Sequence, residues 1–207
     1  MPPRNLLLSI ALGALATLAH PFAFAAKAAR RLFIGSRQAA ALAKIDTAQW
    51  TPELLRRLEW RRFEELCAAY FEAQGSGGAA VLVQCRPWSA HGVGIAPVRA
   101  LHGAMASGSV AEGVLLTPGK FTQEARAFAG KEKIRLIDGA EFLARIAALL
   151  PEKAFALLEL ATRGDFLTPT CPSCAIKMVP RKSTLHGRTY WGCRNYPACK
   201  QTFFEHT

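Results

Sequence analysis

Apolar residues return along this chain in two rhythms, and the changes of rhythm mark its elements. Thr51-Pro52-Glu53 reads as a helix start, with Thr51 as N-cap and Pro52 at the first helical position. Phe63, Leu66, Cys67, Tyr70 and Phe71 then recur at three- and four-residue steps, which buries one face of that helix and leaves Arg57, Arg61 and Arg62 opposite. Gly75-Ser76-Gly77-Gly78 stops it. Short apolar runs at 79–85, 113–117 and 134–137 suit buried strands. Between them stand a helical pattern from near Gly94 (Ile95, Val98, Leu101, Met105, with Pro97 in its first turn) and a second one, capped by Thr122, that contains Ala125 and Phe128. Asp138 followed by Glu141 predicts a capping-box start for a helix through Leu149, and a last helix covers about 151–162 before Gly164. Strands alternating with helices imply βαβ units, parallel pairing and an α/β fold for residues 51–164.

The beginning of the chain follows neither rhythm. Residues 6–26 carry no charge over about 21 positions, enough to cross a bilayer at 1.5 Å per residue. Arg4 precedes this run, and Lys27, Arg30, Arg31 and Arg37 follow it. That heavier downstream flank predicts a single-pass transmembrane helix over 1–26 with the rest of the chain in the cytoplasm. The competing reading is a cleaved signal peptide, with an apolar region at 6–18 and Ala23-Phe24-Ala25 as its cleavage site. Residues 27–50 read as a basic linker, either resting on anionic lipid headgroups or simply solvated.

Charge and cysteine spacing bring in the chemistry. A net charge of +11 points to an anionic partner: nucleic acid, a membrane surface, or both. Over 165–207, Cys171-Pro172-Ser173-Cys174 and Cys193-Arg194-Asn195-Tyr196-Pro197-Ala198-Cys199 form two pairs separated by a loop, the spacing of a four-thiolate Zn2+ ribbon. Two disulfides in an exported domain are the alternative, and a reducing compartment with DNA in it favours the metal. Cys67 and Cys85, inside apolar patterns, read as core thiols. Lys177, Arg181, Arg188, Arg194 and Lys200 are interleaved with Tyr190, Trp191, Tyr196, Phe203 and Phe204. Such a surface can track phosphates while its rings stack on unpaired bases, or the rings can be the ribbon's own core. The string Tyr190-Trp191-Gly192-Cys193-Arg194-Asn195-Tyr196-Pro197-x-Cys199 resembles the C-terminal zinc ribbons of type IA DNA topoisomerases. Ala175 stands where that family usually has Gly.

A second resemblance covers about a hundred residues. Val83-Gln84-Cys85-Arg86-Pro87-Trp88, then Val93-Gly94-x-x-Pro97-Val98-Arg99, then Gly113-Val114-Leu115-Leu116-Thr117-Pro118-Gly119-Lys120-Phe121-Thr122, then Ile134-x-Leu136-Ile137-Asp138-Gly139 are similar to the Mrr-type restriction endonuclease domain. The resemblance implies a restriction-endonuclease-like PD-(D/E)xK core, here shortened, with a mixed sheet, helices on both faces and a divalent metal held by an Asp and a Gln-x-Lys. Mg2+ in such a site lowers the pKa of an attacking water. This chain has Gly77-Gly78-Ala79-Ala80 without the Asp, and Gln84-Cys85-Arg86 in place of Gln-x-Lys. Arg86 keeps the charge but does not deprotonate. The candidate catalytic set is Gln84, Arg86 and Glu64 (or Glu65) on the preceding helix. Trp88, Arg99, Lys120 and Thr122 are candidate DNA contacts beside the ribbon's Lys177, Arg181, Arg188, Tyr190, Trp191, Arg194, Tyr196 and Lys200.

Three functions follow as expectations. The first is a membrane-anchored, Mrr-like DNA-binding protein with a degraded nuclease site. The second is an active endonuclease using Glu64 or Glu65, Arg86 and Mg2+, and the third is an envelope scaffold without DNA binding. A homo-oligomer is compatible with each, since nucleases of this fold often pair to cut both strands.

Overall fold

The computed structural model describes residues 45–74, 81–85, 92–183, 187 and 189–204. Its first helix, α1 (Pro52–Arg57), starts as expected, with the Thr51 hydroxyl accepting from the Leu54 amide at 3.0 Å. The single helix expected through Phe71 is broken, however. Leu58 turns to ψ 129°, and α2 (Trp60–Gln74) begins afresh. The cause is Glu59, whose carboxylate folds back to accept from the Arg61 amide at 3.2 Å while its own N–H donates to Phe166 O at 2.9 Å.

Next come β1 (Val81–Cys85), α3 (Ile95–Ser107), β2 (Glu112–Leu116), α4 (Gln123–Ala129), β3 (Ile134–Ile137), α5 (Gly139–Ala147) and α6 (Pro151–Thr162). The three strands pair in parallel in the order β1-β2-β3, with Val83 opposite Val114 and Leu115 opposite Leu136. Among the described residues this sheet is parallel throughout rather than mixed. Two predicted caps hold α4 and α5: Thr122 accepts from the Ala125 amide at 3.3 Å, and Asp138 from the Glu141 amide at 3.0 Å. Burial alone would raise the Asp138 carboxyl, but the Glu141 amide and the Arg126 guanidinium at 2.7 Å bring it below its ordinary value.

Strand alternation sends successive residues to two separate cores. On one face Val83, Cys85, Val114, Leu116 and Ile137 meet Leu54 and Leu55 of α1, Phe63, Leu66, Cys67 and Tyr70 of α2, Phe142 and Ile146 of α5, and Leu157 and Leu158 of α6. Phe142 is the hub, edge-on to Phe63 at 6.0 Å and to Tyr70 at 5.1 Å between ring centroids. On the other face Leu82, Leu115, Ile134 and Leu136 pack on Val98, Leu101 and Met105 of α3 and Ala125 and Ala129 of α4.

The expected transmembrane helix is corrected here. Among the described residues no helix is long and apolar enough to cross a membrane. The longest, α2, has 15 residues, about 22 Å at 1.5 Å per residue against the roughly 30 Å of a hydrocarbon core, and it carries Arg61, Arg62, Glu64, Glu65 and Glu72. Residues 6–26, on which the expectation fell, lie outside the described residues. The membrane anchor, and the inner-membrane location derived from it, are therefore withdrawn.

After α6 the chain forms a second, antiparallel sheet of β4 (Val179–Lys182), β5 (Thr189–Gly192) and β6 (Thr202–Phe204) in the order β4-β5-β6. It is joined to the α/β unit by polar contacts. The Trp60 indole donates to Thr170 O at 2.7 Å, and Lys177 Nζ donates to Glu59 Oε1 at 3.1 Å.

Candidate metal centre and nucleic-acid interface

Two tight turns bring the four ribbon cysteines together. In the first, Ala175 N–H donates to Cys171 O and Cys171 N–H to Ile176 O, both at 2.8 Å; in the second, Cys199 N–H donates to Asn195 O at 3.0 Å. The sulfurs of Cys171, Cys174, Cys193 and Cys199 all lie within 4.8 Å of one another. Cys171 Sγ and Cys199 Sγ are 3.7 Å apart, against about 3.8 Å for thiolates on a tetrahedron of 2.3 Å Zn–S bonds. Met178 is buried beside them, and Ile176, Trp191 and Phe203 cover the group, so it sits in an apolar shell. Without a cation, desolvation first, and then hydrogen bonds to the other three thiols, push Cys193 up to about 12, against a lowering contribution from the Asn195 amide. Four thiols crowded this way suit a soft divalent cation that replaces their protons. The donor set fits zinc.

The three ribbon strands divide the aromatic and basic residues between two faces. Register sets Pro180 opposite Trp191 and Trp191 opposite Phe203, and this row faces the cysteines. Arg181, Tyr190 and Phe204 form the outer row. Trp191, expected among the DNA contacts, belongs to the inner row and packs on the thiols. Tyr190 meets Phe204 at 6.0 Å between centroids, and Phe204 and Tyr196 are 63% and 60% exposed. Arg181 lies across Gly192, donates to Cys193 O at 3.3 Å and stands 5.1 Å over the Tyr196 ring. A Cβ on Gly192 would come within 2.5 Å of Arg181 Cδ, so glycine opens the path that this side chain takes. Arg194 and Lys200 are exposed on the segment between β5 and β6. Arg188 lies outside the described residues.

Lys177 departs from its expected role as a DNA contact. Its ammonium is bonded to Glu59 Oε1 at 3.1 Å and to Thr168 O at 2.9 Å, which ties the ribbon inward. Sequence reasoning missed Glu59, and it named Phe203 and Phe204 together among the ribbon's aromatics. Nothing local to Leu58-Glu59-Trp60 signals a buried carboxylate, and a Phe203-Phe204 pair does not say which ring faces out.

The residues expected to form the nuclease site are dispersed. Gln84 shares the face of Leu82, opposite Leu115, and its Oε1 is buried without a partner among the described residues. Cys85 faces the other way, onto α2. Burial first, then a hydrogen bond to Cys85 and the nearby Glu64 charge, raise the Cys67 thiol well above its ordinary value, as fits a core thiol. Glu64 therefore lies on the α2 side of β1 and Gln84 on the other. Glu65 is engaged by Arg61 at 3.5 Å and Arg62 at 3.2 Å. Two oxygens on opposite faces do not make the carboxylate-rich octahedron that Mg2+ requires. Arg86, Trp88 and the Gly77-Gly78-Ala79-Ala80 turn lie outside the described residues. Arg99 is exposed on α3 with its guanidinium 5.6 Å over Phe128, and Lys120 is exposed on the loop leaving β2. The Thr122 hydroxyl is taken up in capping α4.

An open parallel sheet receives ligands beyond the carboxyl ends of its strands, which is where the Lys120 loop and Asp138 stand. Residues 74–146 match the family model of the Mrr-type catalytic domain, a restriction endonuclease. The α/β unit from the end of α2 through α5 is thus similar to a restriction endonuclease domain. No curated protein and no solved structure matches the chain.

Proposed function

We propose that this chain is a DNA-binding protein of the Mrr-type restriction endonuclease class, with a zinc-held ribbon as its second contact and a hydrolytic site that is incomplete. The observation that carries the reading is the outer face of the ribbon. The exposed rings of Tyr196 and Phe204, with Tyr190 beside Phe204 and the Arg181 guanidinium over Tyr196, stand outside the cluster that covers the cysteines, and Arg194 and Lys200 are exposed on the segment between β5 and β6. Rings in that setting stack on bases, and the cations pair with phosphates and release counterions. Arg99 and Lys120 offer further cations on the α/β unit. Arg86, Trp88 and Arg188 remain proposed contacts on sequence grounds alone. The incomplete site rests on the missing Asp, on Arg86 in place of Lys, and on the opposed faces of Gln84 and Glu64.

The test incubates the full chain, purified with zinc, with supercoiled plasmid and Mg2+ or Mn2+ over a salt series on native gels. The expected result is retarded, uncut plasmid whose retardation fades as salt rises. Replacing Tyr196 with Ala should cost about 1–3 kcal/mol of affinity for single-stranded DNA, the value of one stacked base. Relaxed or linear product that Gln84→Ala abolishes would make the protein an endonuclease instead. Plasmid running free at low salt would remove DNA from the reading altogether.

A further inference from the structure

Glu59 is a carboxylate held almost completely out of water, with its side chain 3% exposed, and neither the sheet nor the metal centre requires it. Oε2 accepts from the Arg61 and Thr170 amides, each at 3.2 Å; Oε1 accepts from the Thr170 hydroxyl at 2.9 Å and from Lys177 Nζ at 3.1 Å. Arg61 is in the first turn of α2. Thr170 directly precedes Cys171, and Lys177 follows the turn that Cys174 closes. Thr170 and Lys177 are themselves bridged in antiparallel fashion, with Met178 N–H donating to Pro169 O at 2.9 Å. One buried charge thus joins the start of a helix to both ends of the first cysteine turn.

Where that joint stands matters. α2 ends shortly before β1 begins, and Cys67 in its middle meets Cys85 at the end of β1. It therefore runs antiparallel to β1, and its start overhangs the carboxyl end of the parallel sheet, the end that also carries the Lys120 loop. We propose that Glu59 is a positioning residue that couples metal loading of the ribbon to the order of the first turns of α2, and so fixes the ribbon at the carboxyl end of the sheet. The proposal rests on the reading that the four cysteines hold zinc. The physical reason is the cost of a buried carboxylate that loses its donors. Without the metal, the Cys171–Cys174 turn no longer presents Thr170 and Lys177 together. Glu59 must then find water, and it can do so only by opening the start of α2.

The test is amide hydrogen exchange by mass spectrometry on the full chain, with and without a zinc chelator, alongside Glu59→Gln and Lys177→Met. Removing zinc from the wild type should speed exchange at the start of α2 about ten-fold, the loss of one charge-assisted hydrogen bond, while Val114, Leu115 and Leu116 keep their protection. The zinc dependence of the same α2 amides should shrink in both variants, most in Glu59→Gln, which removes the charge, and less in Lys177→Met, which keeps both Thr170 bonds. Lys177→Met leaves the Glu59 cap of α2 in place, so it reports coupling even if Glu59→Gln folds poorly. Metal content is measured on the same samples. One zinc per chain with α2 exchange indifferent to chelation overturns the coupling alone, whereas a chain that holds no zinc overturns the metal reading and the coupling with it.

Discussion

Val114, Leu115 and Leu116 in β2 are 3%, 0% and 0% exposed, because helices cover both faces of the parallel sheet. In β5, the middle strand of the ribbon, Tyr190 and Trp191 are both half-buried, and among the described residues only the Trp191 side belongs to an apolar cluster. The first sheet has enough apolar area to hold itself together, and in return it can meet a ligand only at its strand ends. The second has little apolar area, gathered around four sulfurs that could hold a cation and take from it the order that a core would otherwise supply. Because it covers one face only, it can offer the other, with Tyr190, Phe204 and Arg181 in a row, to a partner. Stability and availability for binding are thus divided between the two sheets in opposite proportions.

The largest effect should come from attacking the ribbon's source of order. Cys171→Ser removes a ligand from a site whose zinc affinity in comparable modules is on the order of 10 kcal/mol. Zinc content should fall towards zero, and the near-ultraviolet circular dichroism from Trp191 should collapse. Exchange protection of Val114 to Leu116 should persist. If those amides lose protection together with the metal, the two sheets form one cooperative unit and the contrast drawn between them fails.

The reverse experiment strikes the apolar core. Phe142 is fully buried between Phe63 and Tyr70, and replacing it with Ala should cost about 3–5 kcal/mol. The urea midpoint of the α/β unit should drop accordingly, with zinc stoichiometry unchanged at urea concentrations below the transition. Loss of zinc in step with the core would show that the ribbon leans on the α/β unit more heavily than Glu59 and Trp60 suggest.

What could be read from the sequence follows the range of the interaction responsible. Thr51, Thr122 and Asp138 each cap a helix through a partner three residues away, and all three were legible. The cysteines were legible because their spacing is itself the geometry of the site, and the parallel pairing because strands and helices alternate. The break at Glu59 was hidden because most partners of that residue, Phe166, Thr170 and Lys177, stand far along the chain. Lys177 looked like any other ribbon cation for the same reason. The nuclease residues were only half legible: alternation along β1 sets Gln84 and Cys85 on opposite faces, but only the packing of α2 shows on which side Glu64 lies.

The smallest expected effect tests the ribbon turn at a single backbone torsion. Ala175 closes the Cys171–Cys174 turn with φ 56°, in the left-handed region where a Cβ crowds the following carbonyl at about 1–2 kcal/mol. Glycine has no Cβ to crowd, although it also gives the unfolded chain more freedom, which returns about 0.4–1 kcal/mol. The net expectation for Ala175→Gly is a stabilisation of the metal-bound ribbon of no more than about 1.6 kcal/mol, seen as slightly tighter zinc binding in a chelator competition. The midpoint of the α/β unit should stay where it is. Weaker binding would mean that the Ala175 N–H bond to Cys171 O, rather than the torsion, decides how this turn is held, and that the ribbon tolerates the strained residue because its metal overrides the local preference.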